Sequence, residues 1–292
     1  MPKPGRYIVA VSGGIDSVCL LDVLSQQQGY ELIVAHFDHG IRPEDSATDR
    51  QFVADLAASY GLQFVYDEGK LGMAASEEQA RAARYAYLNS VRRSFNAEAI
   101  LTAHHQDDRL ETLVINLIRG TGRLGIASIG ESGNIKRPLL KLSKQDIKDY
   151  ALTRSLYWRE DSSNEEEKYL RNYVRKRILP FLSPKDKQRL AKLMNRQTEL
   201  NQAIDQLTSE LLSGSDQSKL SLKLFNNLSY NESRELVASW LRKNSLNNFN
   251  RGTVERLTLA AKTKRPGSSI DIYGKRKAKL TGDYLALQDI ER

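Results

Sequence analysis

Apolar residues in the first 150 positions come in short compact runs separated by longer amphipathic stretches. Runs 7–11, 32–37, 63–66 and 99–103 are rich in β-branched and aromatic residues and read as strands. Stretches 16–27, 46–60, 77–95 and 107–119 repeat apolar positions at helical spacing. Ser76, followed three residues later by Gln79, predicts a capping box at the start of the third helix. The alternation predicts an α/β fold, a Rossmann-like parallel sheet with helices on both faces. Ligands of such sheets gather outside the carboxyl ends of the strands.

Beyond this region come a Gly-rich loop, 120–133, and then Arg137-Pro138-Leu139-Leu140. A helix is predicted from Ser143, followed by an apolar segment at 156–158 and a polar loop, Glu160-Asp161-Ser162-Ser163-Asn164. From Tyr169 the pattern is helical, with a break at 180–184 and a long polar-rich helix over 185–212. Ser213-Gly214-Ser215-Asp216 reads as a linker. Two short helices, 229–243 and 251–261, then precede alternating segments 269–273 and 278–288, a hairpin with Gly274-Lys275-Arg276-Lys277 at its bend. The predicted division is an α/β domain over 1–180, a helical linker over 181–213 and a small α+β module over 214–292.

Composition changes this picture little: 292 residues, 40% hydrophobic and 27% charged, fit a globular chain. No run of roughly 18 apolar residues marks a membrane span, and the first residues lack the apolar core of a secretion signal. Cys19 stands alone, so neither an internal disulfide nor a multi-thiolate metal site is expected, and a reducing cytoplasm is the simple inference. Charge adds more. The net charge is +8, and 168–196 holds ten Lys/Arg against the single acid Asp186. Such a concentration suits backbone phosphates of a nucleic acid, although a solvated helix face has the same composition.

Ser12-Gly13-Gly14-Ile15-Asp16-Ser17 joins the first strand to the first helix. A Ser/Gly loop there presents backbone N–H groups, and the helix dipole adds partial positive charge. The loop reads as a phosphate cradle rather than an ordinary turn, with Ser12, Asp16 and Ser17 suited to phosphates and Mg²⁺. It is not of the Walker type and does not match G-x-G-x-x-G. The four histidines, His36, His39, His104 and His105, follow two predicted strands, so all fall at the loop's edge of the sheet. They lie in His36-Phe37-Asp38-His39-Gly40-Ile41-Arg42 and His104-His105-Gln106-Asp107-Asp108-Arg109-Leu110-Glu111-Thr112. A zinc hydrolase is the rival reading, but zinc would not require the Ser/Gly loop. Asp107 or Asp108 could help hold Mg²⁺, and Arg42 could complement phosphates. Arg81, one turn after Glu78, could face a phosphate or pair with that carboxylate. Arg119-Gly120-Thr121-Gly122 could bring backbone close to a ligand or simply cap a helix.

Taken in order with Arg137-Pro138-Leu139-Leu140 and the 160–164 loop, these motifs resemble the N-type ATP pyrophosphatase, or PP-loop, family over residues 6–180. Within that family they are similar to the branch that joins lysine to a tRNA. The resemblance implies an adenine nucleotide alpha hydrolase-like fold and a carbon–nitrogen ligase using ATP and Mg²⁺. ATP would adenylate C2 of the wobble cytidine in the CAU anticodon of tRNA(Ile). L-lysine would then displace AMP, so that lysidine remains. Catalytic roles would fall on Asp16, Arg42, His105, Asp107, Asp108 and Arg119. ATP would be bound by Ser12, Gly13, Gly14, Ile15, Asp16, Ser17, His36, Asp38, Arg81 and His104, and Mg²⁺ by Asp16 and Asp107. Glu111 and Asp161 are the expected lysine pocket. Arg171, Arg175, Lys176, Arg177, Lys275, Arg276, Lys277 and Lys279 are the expected tRNA surface. Longer members carry a second C-terminal domain, so the expectation here is a short form with one C-terminal module, compatible with a homodimer. Where many relatives have a glycine after the Arg119-Gly120-Thr121-Gly122 loop, this chain has Ser128. The alternatives are a PP-loop tRNA-modifying enzyme of the 2-thiolation type, which the lone Cys19 disfavours, or a non-catalytic nucleotide-binding regulatory module.

Overall fold

The computed structural model describes residues 1–38, 43–69, 76–127, 129–130, 133–159, 170–213, 216–263, 267, 269–274 and 276–289. They fall into two compact units, Met1–Gln197 and Thr198–Arg292. In the first unit, strands β1 (Gly5–Ala10), β2 (Tyr30–Asp38), β3 (Gln63–Glu68), β4 (Ala99–Leu101) and β5 (Ile135–Lys136) form one sheet in the order β3-β2-β1-β4-β5. Every neighbouring pair is parallel. The connecting helices are α1 (Ile15–Ser25), α2 (Pro43–Ser59), α3 (Glu77–Ser94), α4 (Gln106–Ile118), α5 (Arg123–Ala127) and α6 (Lys144–Thr153). The α/β architecture expected from the alternation is therefore present. β5 was not expected, because two residues are too few to carry a periodic signal.

Strand periodicity sorts the core onto two faces. Tyr7, Val9, Val11, Leu32 and Val34 pack with Leu20, Leu21 and Leu24 of α1, Val53 and Ala57 of α2, and Ile147 and Ala151 of α6. The intervening Ile8, Ile33, Ala35 and Ile100 pack on the opposite face with Leu88 and Val91 of α3. Each aliphatic side chain so buried contributes roughly 1.5–3 kcal/mol relative to exposure. The capping box is formed: Gln79 N–H donates to Ser76 Oγ and Ser76 N–H to Gln79 Oε1. Ser143 caps α6 in the same way, with Asp146 as its partner.

One charged residue lies within this apolar packing. Asp22, in the third turn of α1, is 2% exposed. Its carboxylate accepts from Tyr60 Oη (2.7 Å), Tyr150 Oη (2.6 Å), Gln26 Nε2 (2.8 Å) and Arg154 Nε (3.4 Å). Burial opposes ionisation of Asp22, yet the bonds from Tyr150, Tyr60 and Arg154 hold its carboxyl below the usual range. The network fastens α6 to α1, and the Cys19 thiol adds a contact to the Ile147 carbonyl at 3.5 Å.

After residue 170 the expected helix is built in pieces. α7 (Leu170–Tyr173) passes into a π turn, Val174–Ile178, and a 3₁₀ turn, Leu179–Phe181, before α8 (Pro184–Leu211). Pro180 falls in the 3₁₀ turn, where a missing N–H is tolerated. Val174, Leu179, Ala191 and Met194 pack against Leu110 and Leu113 of α4. Arg109, buried on α4, donates to Asn195 Oδ1 at 2.9 Å.

The second unit contains α9 (Tyr230–Lys243), α10 (Arg251–Thr263) and a four-stranded antiparallel sheet. Its strands are β6 (Lys219–Ser221), β7 (Ser269–Tyr273), β8 (Arg276–Thr281) and β9 (Tyr284–Asp289), in the order β6-β9-β8-β7. Trp240, Leu236 and Leu241 of α9 meet Leu257 of α10 and Ala278, Leu280 and Leu285 of the sheet. The alternating segment 278–288 is thus two strands rather than one. Gly282, at φ +53°, supplies the turn that the pattern concealed. Consequently Arg276 and Lys277 belong to β8 instead of the bend, with Tyr273 paired to Arg276 across Gly274.

Replacing Asp22 by Ala leaves two half-buried tyrosine hydroxyls without their acceptor. The substitution is expected to cost on the order of 3 kcal/mol, read as a lower urea midpoint by Trp158 fluorescence in a Trp240→Phe background shared by both proteins compared. A loss below about 1 kcal/mol would show that the network does not hold α6.

Candidate functional site

The order β3-β2-β1-β4-β5 reverses direction between β1 and β4, and a crevice opens there beyond their carboxyl ends. On the β1 side stands the Ser/Gly loop. Gly13 has φ +93°, the left-handed region that favours glycine, and a Cβ there would crowd the Phe52 ring at 3.3 Å. Ser17 Oγ donates to the Gly14 carbonyl (2.9 Å), accepts from Ser12 N–H (3.1 Å) and meets Ser12 Oγ at 3.2 Å. These contacts fold the loop onto itself. Gly14 is the N-cap of α1, and no side chain caps it. The first-turn N–H groups of Ile15 and Asp16 therefore face the crevice at the positive end of the helix dipole. The backbone N–H of Arg159 returns to the Gly13 carbonyl at 3.0 Å.

On the β4 side stand His104, His105 and the start of α4. His104 Nδ1 lies 2.9 Å from Thr102 Oγ1. Burial, with Arg137, Arg84 and Arg81 nearby, drives its pKa down from 6.5 to about 3, so the ring is neutral. His105 N–H donates to Asp108 Oδ2 at 2.9 Å. The His105 ring is 5% exposed, with Nε2 3.5 Å from Asp108 and 3.8 Å from Asp16. Its Nδ1 is buried without a partner among the described residues.

Two lysines that the sequence reading did not select occupy the carboxylates it did. Lys144, the first residue of α6, places Nζ 2.5 Å from Asp16 Oδ1 and its backbone N–H 3.2 Å from Asp107 Oδ1. Lys187 Nζ lies 2.9 Å from Asp107 Oδ2. Burial would raise the Asp107 carboxyl, but the bonds from Lys187 and Lys144 keep it below its usual range. Asp16 and Asp107 offer hard oxygen donors beside the cradle. Mg²⁺ commonly uses one or two carboxylates and takes its remaining ligands from phosphates and water, so the pair fits that ion. The two ammonium groups stand where such a cation would be attracted. No cluster of three or more metal-binding side chains, as a closed zinc site needs, occurs among the described residues.

Beside these groups is a cleft of about 220 Å³ lined by Arg81, Arg84, His104, Asp108, Arg171 and Arg175. Arg81 and Arg84 lie one turn apart on α3, and the Arg84 Nε is buried without a partner among the described residues. Glu111 is 1% exposed beneath the cleft. It takes Arg175 Nε at 2.6 Å and Nη2 at 3.0 Å, with Arg171 Nε at 3.5 Å. Burial pushes the Glu111 carboxyl up against the pull of both guanidiniums. The cleft is strongly cationic, with Asp108 as its acid; it suits a ligand that brings an anionic group and one amine.

Several expected residues stand elsewhere. His36 is buried, its Nδ1 2.9 Å from the Val11 carbonyl, and fastens β2 to the end of β1. Asp38 closes β2 in register with Glu68 of β3. Arg119 is the exposed C-cap of α4. Helical rise separates it from His105 by about 20 Å, so it does not join the cluster. Arg171 and Arg175 turn inward to Glu111, because a buried carboxylate needs a charged partner. They are therefore not part of an open basic face, whereas Lys176 and Arg177 are exposed. Lys277 and Lys279 alternate with inward Ala278 and Leu280 on β8, and Arg276 pairs with Asp289 at 2.9 Å. His39, Arg42, Asp161 and Lys275 lie outside the described residues. Of the residues missed, Arg84 was accessible through its i,i+3 spacing from Arg81. Lys144 and Lys187 meet their partners over 128 and 80 positions, which no local pattern encodes.

A PP-loop domain model matches residues 2–182. Curated relatives called tRNA(Ile)-lysidine synthase include a Francisella tularensis subsp. holarctica protein, 31% identical over 92% of this chain and 70% of its own length. One from Solibacter usitatus is 35% identical over 86% and 60%, and one from Geobacter sulfurreducens 37% over 73% and 48%. The chain thus spans about half to two-thirds of the length of the relatives it matches. Among solved structures, the U34-tRNA thiolase NcsA from Methanococcus maripaludis, with its [4Fe-4S] cluster, superposes with a TM-score of 0.54 at 17% identity. That match covers 68% of this chain and 74% of the thiolase and concerns the fold. No described helix is long and apolar enough to cross a membrane.

Because His104 is neutral in the fold and protonates near pH 6.5 when unfolded, the unfolded chain binds the extra proton between about pH 6.5 and 3. His104 therefore makes stability fall as pH drops through that window. His104→Gln is expected to lose less stability than the wild type between pH 7 and pH 5 in urea melts. Equal losses would show that His104 titrates normally in the fold.

Proposed function

The chain belongs to the PP-loop family, in its tRNA(Ile)-lysidine synthase branch, and from that premise we propose that it ligates L-lysine to C2 of the wobble cytidine of a CAU-anticodon tRNA(Ile), using ATP. The observation that carries this reading is His105 bridging the uncapped α1 N-terminus, at Asp16 (3.8 Å), to Asp108 (3.5 Å) of the guanidinium-lined cleft. In this reading the loop 12–17 takes the pyrophosphate portion of ATP and stabilises the charge it gains on leaving. Mg²⁺, held by Asp16 and Asp107 together with phosphate oxygens, supplies charge neutralisation there. The cytosine is unstacked into the crevice, which is easier in an anticodon loop than in a duplex.

Lysine arrives as a zwitterion with a cationic side chain. Arg81, Arg84 and Arg171 complement its α-carboxylate, and Asp108 orients an amine. Its ε-ammonium must lose a proton before attack on C2. His104, neutral by burial, borders that position without adding positive charge. The exposed Lys176, Arg177 and Lys279, with the half-buried Lys277, are the proposed tRNA contacts, and a homodimer and a cytoplasmic location belong to the same reading.

The test supplies ATP, Mg²⁺, labelled lysine and an unmodified CAU-anticodon tRNA(Ile) transcript. ATP-dependent incorporation of label is expected; its absence from folded protein that binds ATP would overturn the reading. In the same assay Asp16→Ala is expected to reduce incorporation by at least about 100-fold while tRNA binding persists. Near-normal turnover would remove Asp16 from the site.

A further inference from the structure

Lys144 is held in an unusual way. Ser143 caps α6, the Lys144 backbone N–H is taken by Asp107, and α6 is fastened to α1 through Tyr150, Arg154 and Asp22. The backbone beneath Lys144 is fixed, and only the four-carbon stem can swing. Its side chain is 44% exposed and that of Asp16 30%, so the 2.5 Å ion pair between them is partly solvated and readily exchanged. Asp16 is the second residue of α1, beside the N–H groups of the cradle. A cation arriving at Asp16 would repel the ammonium, while an anion in the cradle would attract it.

We propose that Lys144 is an internal counter-ion that leaves Asp16 when the metal–nucleotide binds and moves onto the nucleotide's terminal phosphates, staying with the pyrophosphate as it departs. This rests on the cradle being a nucleotide site, as in the proposed function. Two opposite consequences follow for one side chain. Lys144 competes with a divalent cation at Asp16, and it assists a polyphosphate in the loop. Lys187, whose partner is Asp107, shares the first role only.

The test uses the full chain and two simple probes, with folding of each variant checked by circular dichroism. Mn²⁺ alone is titrated by electron paramagnetic resonance, and pyrophosphate by calorimetry at fixed Mg²⁺. For Lys144→Met, pyrophosphate is expected to bind about tenfold more weakly and Mn²⁺ about threefold more tightly. Lys144→Arg keeps the charge and should retain most of the pyrophosphate affinity, and it serves as the readout if the methionine variant does not fold. Weakening of both probes would make Lys144 a structural support. No change in pyrophosphate binding would remove it from the phosphate site. Failure of the wild type to bind pyrophosphate would overturn the nucleotide reading itself, a result distinguishable from failure of Lys144 alone.

Discussion

Parallel strands all finish at the same edge of their sheet, and this constraint organises the first unit. Because β1 and β4 are neighbours running the same way, the loop after one and the histidines after the other must meet. Neither segment is near the other in sequence. Their encounter depends on apolar alternation along β1 and into the residue after it, which presents Tyr7, Val9 and Val11 to α1 and α6 and Ile8 to α3. A register slip of one residue would turn those side chains to the wrong layers. It would also displace the loop from His105.

Charge is arranged within that frame by pairing. Asp16 and Asp107 face Lys144 and Lys187, and Glu111 faces Arg175 and Arg171. Each pair joins a residue near the start of α1 or α4 to one from a later segment, so α6, α7 and α8 complete a site begun by the strands. Where pairing stops, ligand chemistry begins: the capless N-terminus of α1, the Arg84 Nε and His105 Nδ1 carry polar capacity that the described residues do not use. Burying such groups without a partner is costly, and a ligand that satisfies them recovers that cost.

Much of this was legible in the sequence. Strands β1 to β4, the last within a longer apolar run at 99–103, the helices between them, the capping box at Ser76 and the glycine loop all announce themselves over a few residues. Chemistry carried by short segments was legible for the same reason, as with Ser12 to Ser17 and His104 to Asp108. Partnerships across the chain were not. Arg171 and Arg175 read as surface charge until Glu111 is seen beneath them, and the bond from His36 to the Val11 carbonyl joins residues 25 positions apart. β5 and β6 are too short to carry a pattern, and the turn at Gly282 lies inside a run whose alternation continues through it. A side chain's type signals what it could do, but only the fold decides which neighbour it meets first.

Hydrogen bonds made to one carboxylate share a single anchor. Asp22 gathers Tyr60, Tyr150 and Arg154, so α6 is latched by directional bonds as well as by the apolar contacts of Ile147 and Ala151. Apolar contacts tolerate sliding; bonds of this kind do not. α6 therefore has one seated position, and it would leave that position as a piece. The first residue of that piece faces the phosphate loop, so the lifetime of the latch bounds the lifetime of the assembled cradle.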